Sequence, residues 1–265
     1  MEKMTIRRIL MILLACVFLF CAGVVVSVKY KYIVNNRLNR TLAGEYTTKV
    51  DNNSSSKEGS IKRENVIAPI KVDFEALKEI NPEIIGWIYC EDTVINYPIA
   101  QASNNDFYID HGFDRKSNAC GCAFADAFNR RDFVDSNTIV YGHHLYDGSM
   151  FATLEEWQKQ EYYDEHPIMW LLTPERDYRV ELFSAYYVSV YDEAYTIYQG
   201  PSPELDEYLR YITGLSVIES DVEIGGEDKY VMLSTCAYVF SNARAIVHGK
   251  MVPVDSAGGV LVPKD

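Results

Sequence analysis

From Ile9 to Val28 the chain runs for twenty residues without a charged side chain, and that run divides whatever it folds into two parts. At about 1.5 Å per residue it makes about 30 Å of helix, the thickness of a bilayer core. A membrane span is therefore expected over residues 9–28, with residues 1–8 as a short cytoplasmic N-terminus. A cleaved secretory signal is the competing reading, but the stretch is long for one and no small-x-small cleavage site follows. Lys3, Arg7 and Arg8 on one side face Lys29, Lys31, Arg37 and Arg40 on the other, so the positive-inside rule does not decide orientation. A short N-terminus ahead of a long body suits a single-pass arrangement with the body outside the cell.

Charge follows the same division. Residues 1–40 carry seven basic side chains against one acidic, and the remainder carries 18 against 37. Such an acidic body lacks the basic face that nucleic acid requires, which excludes that class of partner. Of the six cysteines, Cys16 and Cys21 lie in the span. Cys90, Cys120, Cys122 and Cys236 are too sparse for a disulfide scaffold, and whether Cys90 pairs with Cys120 or Cys122 stays open. Cys120-Gly-Cys122 reads as half a metal site, yet no second cysteine pair or histidine cluster follows at finger spacing. The two thiols are expected to fill a strand, and no metal or other cofactor is expected.

Residues 29–65 turn polar and irregular around Asp51-Asn-Asn-Ser-Ser-Ser-Lys-Glu-Gly-Ser60, the composition of a flexible extracellular stalk. The folded body is expected over 66–252, with a loose tail at 253–265. It opens on a helix over Asp73–Ile85, where Phe74, Leu77, Ile80 and Ile84 recur at helical spacing and Asp73 can cap the start. Strands are expected at Trp87–Cys90, Thr93–Ile99, Cys120–Asp126, Thr138–Tyr141, Ile168–Leu172, Tyr178–Val190, Tyr230–Leu233 and Arg244–Val252, with Pro98 marking an edge or strand end. Short helices fit Met150–Trp157 and Glu204–Leu215. Many short strands without strand–helix alternation favour a mostly β protein, a closed or nearly closed β-barrel rather than a parallel α/β sheet.

Chemistry concentrates in Tyr230-Val-Met-Leu-Ser-Thr-Cys-Ala-Tyr-Val-Phe-Ser-Asn-Ala-Arg244, where Cys236 ends an apolar run and Arg244 follows eight residues on. A core cysteine is the bland reading. A reactive thiol needs partial exposure and electropositive surroundings, which a strand end and a guanidinium supply. His143 follows Thr138-Ile-Val-Tyr141 and a glycine, the setting of an imidazole presented from a strand end, and is the candidate general acid and base. His144 is its neighbour and the alternative; His111 and His166 are expected to be solvated and His248 structural. Arg244 is either a surface charge or a rigid donor to a carbonyl oxygen on which negative charge develops.

Tyr141-Gly-His143 together with the Cys236–Arg244 segment resembles the signature of sortases, and most closely the class B branch. The resemblance runs from about Asp73 to Val252 and includes Asn96-Tyr-Pro98-Ile-Ala-Gln101, Asn105-Asp-Phe-Tyr108, Asp147-Gly-Ser-Met-Phe151 and the helix before the cysteine strand. It implies an eight-stranded sortase-type β-barrel with an N-terminal helix, working without metal as a thiol transpeptidase at the outer face of a Gram-positive membrane. Cys236 would attack the carbonyl after Thr in an NPxT-like C-terminal sorting signal of a surface protein, and His143 would protonate the leaving amine. An amine of a peptidoglycan precursor (lipid II) or of a pilin would then take the acyl group from the thioester. Asn105, Tyr141, Ser234 and Thr235 would line the substrate pocket. Two other readings stand beside it. In a cell-wall cysteine hydrolase of the papain or NlpC/P60 type the cysteine comes first, near a helix start, whereas here histidine precedes a strand-end cysteine. The other is a non-catalytic tethered domain binding a cationic partner.

Overall fold

The structure, a computed structural model, describes residues 2–50 and 67–254. Its first element, α1 (Glu2–Tyr46), is one helix of 45 residues. The stretch from Ile6 onward is long and apolar enough to cross a membrane, and none of its most apolar part is buried by the rest of the chain. The helix does not stop at the end of the uncharged run. It continues through Tyr46 into β1 (Thr47–Lys49), which pairs antiparallel with β2 (Ile70–Val72). The expected stalk over 29–65 is thus regular structure through residue 49, and residues 51–66 lie outside the described residues. The extension is held by the body: Leu42 is buried, Asn118 Nδ2 donates to Asn35 Oδ1 at 2.8 Å, and Asn36 Nδ2 donates to Asp147 at 2.8 Å. Polar side chains that look stalk-like in the sequence are hydrogen-bond partners once the body is folded against them.

After β2 comes α2 (Phe74–Ile80), capped as expected by Asp73, whose carboxylate accepts from the Ala76 N–H at 3.0 Å. It is shorter than expected because Asn81 takes an extended backbone and closes it, releasing Ile84 and Ile85 into β3 (Ile84–Tyr89). The remaining strands are β4 (Asn96–Ala100), β5 (Ala123–Ala125), β6 (Asn137–Tyr141), β7 (Ile168–Leu172), β8 (Asp177–Ser189), β9 (Tyr230–Cys236) and β10 (Ala243–Val254). The short α3 (Gln160–Glu165) precedes β7, and α4 (Pro203–Gly214) lies between β8 and β9. The eight strands from β3 onward close into a barrel in the order β10-β8-β7-β3-β4-β5-β6-β9. Closure removes the edges an open sheet would expose.

Differences from the expected elements have local causes. Gly121, with a positive φ of 62°, closes a turn over Ala119-Cys120 by donating its N–H to the Asn118 carbonyl at 2.8 Å, and β5 begins only at Ala123. The Met150–Trp157 helix is a 3-10 helix over Ala152–Gln158. Pro98 is neither on an edge nor at a strand end: it pairs with Trp87 of β3 and directly precedes the two β4 residues bonded to β5. The last strand runs through Val254, two residues into the expected tail; residues 255–265 lie outside the described residues. All four body cysteines are free thiols. Cys90, Cys120 and Cys122 are buried, and burial raises their pKa values, to about 12 for Cys90 and about 11 for Cys120.

One face of α4 seals the barrel wall. Leu205, Tyr208, Leu209 and Ile212 are buried at helical spacing, with Pro203 in the first turn. Ser202 Oγ caps the helix by accepting from the Leu205 N–H at 3.2 Å, a bond worth about 1 kcal/mol. Beneath it, His248 of β10 is buried and shares a 2.7 Å hydrogen bond with the Tyr186 hydroxyl. Burial pushes the His248 pKa down to about 3, against about 6.5 for an unfolded histidine. Between those values the unfolded chain binds a proton that the native imidazole refuses, so stability falls as pH drops below about 6.5. Thermal melts between pH 7 and 4 are expected to show a shallower decline of Tm in His248→Gln than in the parent. An unchanged slope would remove His248 as a source of acid sensitivity.

Candidate active site

The site rests on the pairing of two strands that are about ninety residues apart. β6 and β9 lie side by side in parallel, in a register that sets Tyr141 opposite Ser234. Strand neighbours are about 4.8 Å apart. His143 and Cys236 each stand two residues beyond that last pair, and the Gly142 N–H donates to the Ser234 carbonyl at 3.1 Å. Their backbones therefore leave the barrel at the same rim and the same height. Arg244 arrives from the other side: β10 runs antiparallel to β9 and sets Arg244 directly opposite Cys236. A separation of eight residues in sequence becomes one cross-strand step.

All three side chains line one groove of about 540 Å³. Ile109, Phe124, Val190 and Ile197 supply much of its apolar wall. Cys236 is partly exposed, unlike the other body thiols. Arg244 Nη1 donates to the Ala243 carbonyl at 2.9 Å, which fixes one edge of the guanidinium. His143 Nε2 lies 2.7 Å from the Ile109 carbonyl oxygen. A carbonyl can only accept, so Nε2 carries the hydrogen and Nδ1 is the nitrogen left to exchange a proton. His144 turns away, toward Glu155 at 3.1 Å and the Tyr238 ring, and does not line the groove.

Asn105, Tyr141, Ser234 and Thr235 also line the groove. Much of their polarity is spent inside the wall. The Tyr141 hydroxyl and Asn105 Nδ2 both donate to Asp126 Oδ2, at 2.8 and 3.0 Å, and the Phe128 N–H donates to Asp126 Oδ1 at 2.8 Å. Three donors compensate the burial of this carboxylate. Burial, followed by the nearby Asp126 charge, raises the Tyr141 pKa. Ser234 Oγ and the Tyr195 hydroxyl are 2.7 Å apart. The Tyr195 pKa is pushed up to about 12 by burial, against the opposing influence of Ser234 and Arg244. Asp126 and Tyr195 line the groove as well, beyond the residues expected from the sequence. Asp126 ends an expected strand, which is a positional signal, whereas Tyr195 closes a three-residue 3-10 helix (Glu193–Tyr195) too short to carry a periodic pattern.

Two glycines shape the imidazole's seat. A Cβ on Gly142 would fall 2.6 Å from the Phe151 ring, so this glycine serves close packing. At Gly121 the positive φ coincides with a contact: a Cβ would lie 2.6 Å from the Tyr108 carbonyl and 2.7 Å from His143 Cδ2. Gly121→Ala is expected to displace the ring and lower kcat about tenfold, since sub-ångström misplacement of a reacting group is costly. Steady-state kinetics on a cleavable peptide, with KM near the parent's, would bear this out; unchanged kcat would refute it.

No family model matches the chain. Among curated proteins, sortase B of Listeria monocytogenes serovar 1/2a is 32% identical over 191 residues, 71% of this chain and 77% of that protein. Sortase B of Staphylococcus aureus is 34% identical over 187 residues, 70% and 77% of the respective chains. The chain belongs to the sortase B family. The fold agrees with that membership: the structure of a Staphylococcus aureus sortase B–substrate complex superposes with a TM-score of 0.65 at 34% identity, over 69% of this chain and 85% of that one. Membership makes the chain a sortase-type cysteine transpeptidase.

Proposed function

We propose that the chain is a membrane-anchored transpeptidase that cleaves an NPxT-like C-terminal sorting signal after Thr and transfers the protein to an amine of a cell-wall precursor or a pilin. The observation that carries this reading is the convergence of Cys236, His143 and Arg244 on one apolar-walled groove. Cys236 sulfur forms a bond to the carbonyl carbon after Thr, and Arg244 donates to the oxygen as negative charge builds there. His143 delivers a proton to the departing amine, and the C–N bond breaks to leave a thioacyl-enzyme. An incoming amine then attacks the thioester, gives its proton to His143 and releases the thiolate as the new amide forms. Holding the amine close lets aminolysis outrun water. Asn105, Tyr141, Ser234 and Thr235 contact the bound signal, and α1 holds the enzyme in the membrane with the body outside the cell.

Mass spectrometry of the protein incubated with sorting-motif peptides and candidate amines tests this. The expected result is an adduct equal to the peptide up to and including Thr, discharged to an amide by one of the amines. Hydrolysis alone with every amine, or no adduct with any Asn-Pro-x-Thr peptide, would overturn it.

A further inference from the structure

The uncharged run ends at Val28, and Tyr32 lies one turn farther along the same helix, about 6 Å beyond it. Tyr32 is already part of the body, packed against the barrel core. Four residues on, Asn36 is bonded to Asp147, and Asn39 Nδ2 lies 3.6 Å from Met150 Sδ. The loop after His143 is thus clamped to the helix about 12–17 Å past the uncharged run, and nearer to that run Tyr32 sits beside Tyr146 and Tyr238. That loop exposes Tyr146, whose ring stacks on Tyr238 with centroids 6.1 Å apart. Tyr238 belongs to the loop after Cys236, which also exposes Val239 and Phe240. Tyr146 is 80% exposed, Tyr238 63%, Val239 57% and Phe240 48%. Nothing among the described residues covers this patch. Lys29 and Lys31 follow the uncharged run on the helix.

The headgroup layer on each face of a bilayer is about 5–7 Å deep, and tyrosine and tryptophan rings concentrate there. The patch lies beside Tyr32, about 6 Å past the apolar run, and the continuity of α1 holds it at that depth. We propose that the two loops flanking the active site, tipped by Tyr146 and by Tyr238-Val239-Phe240, rest in the headgroup layer of the membrane that α1 spans. This rests on the membrane-anchor reading above. The catalytic groove then opens at the lipid surface rather than at the end of a stalk, so that a membrane-tethered substrate or acceptor reaches Cys236 by lateral diffusion.

Depth-dependent quenching tests the placement. The three tryptophans, Trp87, Trp157 and Trp170, are all buried in the body, so the parent chain provides a baseline that lipid cannot quench. The full chain carrying Phe240→Trp, with Val239→Trp as a second variant, is reconstituted into vesicles of mixed anionic and zwitterionic phospholipid. Half of the preparations carry acyl chains brominated near their glycerol end. The expected result is flotation with the vesicles and about a twofold loss of the added indole's emission in brominated lipid, with the parent's emission unchanged. Flotation without quenching in either variant overturns the docking while leaving the anchor intact, and points to a protein partner for the patch. Failure to float overturns the anchor and the docking with it.

Discussion

Replacing Cys236 with alanine is expected to give a folded barrel that captures no sorting peptide. The side chain ends β9, partly exposed, and the ladder that holds the strand is built from backbone groups between Cys236 and Arg244 and onward to Tyr230 and Lys250. Trimming a sulfur there removes little buried surface, so the melting temperature should stay within a few degrees of the parent's. Capture should fall to background, because removing a covalent nucleophile costs on the order of 10⁴-fold or more even where binding and oxyanion stabilisation persist. Intact-mass measurement after incubation with an Asn-Pro-x-Thr peptide reads the adduct directly, and circular dichroism reads the fold. An adduct of undiminished yield would mean another residue carries the acyl group. The remaining body thiols are poor substitutes: burial raises the pKa of each, and none lines the groove.

The parts of the site that could be read from the sequence are those where one residue announces its setting. Cys236 ends an apolar run, His143 follows one, and a barrel is implied by eight short apolar stretches that do not alternate regularly with helices. Facts of register were hidden. That β6 and β9 run parallel, with Tyr141 beside Ser234, depends on how the whole sheet closes, and no local pattern encodes a pairing across ninety residues. Asp126 was hidden for a related reason: a carboxylate at a strand end reads as a solvated charge until Tyr141, Asn105 and Phe128 are brought to it. The helical extension of α1 is not legible in the sequence because Asn35, Asn36 and Asn39 are weak helix formers, and their partners Asn118, Asp147 and Met150 are distant in sequence. Tertiary hydrogen bonds override propensity there. Gly121 falls within a stretch that reads as strand, and only its positive φ and its contact with the His143 ring reveal what the position demands.

Arg244→Lys is expected to lower kcat about 10²-fold while leaving peptide affinity within a few fold, the size of effect seen when one oxyanion donor is lost. The guanidinium has five N–H donors in a fixed plane, and one edge is held on the Ala243 carbonyl. Directly across the ladder from Cys236, the remaining donors are oriented before substrate arrives. A lysine keeps the charge but concentrates it on one freely turning ammonium, which cannot hold the backbone carbonyl and present a second, fixed donor to the groove. The penalty should therefore appear when charge develops on the carbonyl oxygen rather than when the peptide binds. Binding can be isolated by comparing Cys236→Ala with the Cys236→Ala, Arg244→Lys double variant, in which no acylation follows. Equal affinity in that pair, together with a large fall in kcat for Arg244→Lys alone, is the signature of donation to the transition state. A loss confined to affinity would instead make Arg244 a ground-state clamp on the sorting signal, and unchanged turnover would leave it as a structural cation beside Tyr141 and Tyr195.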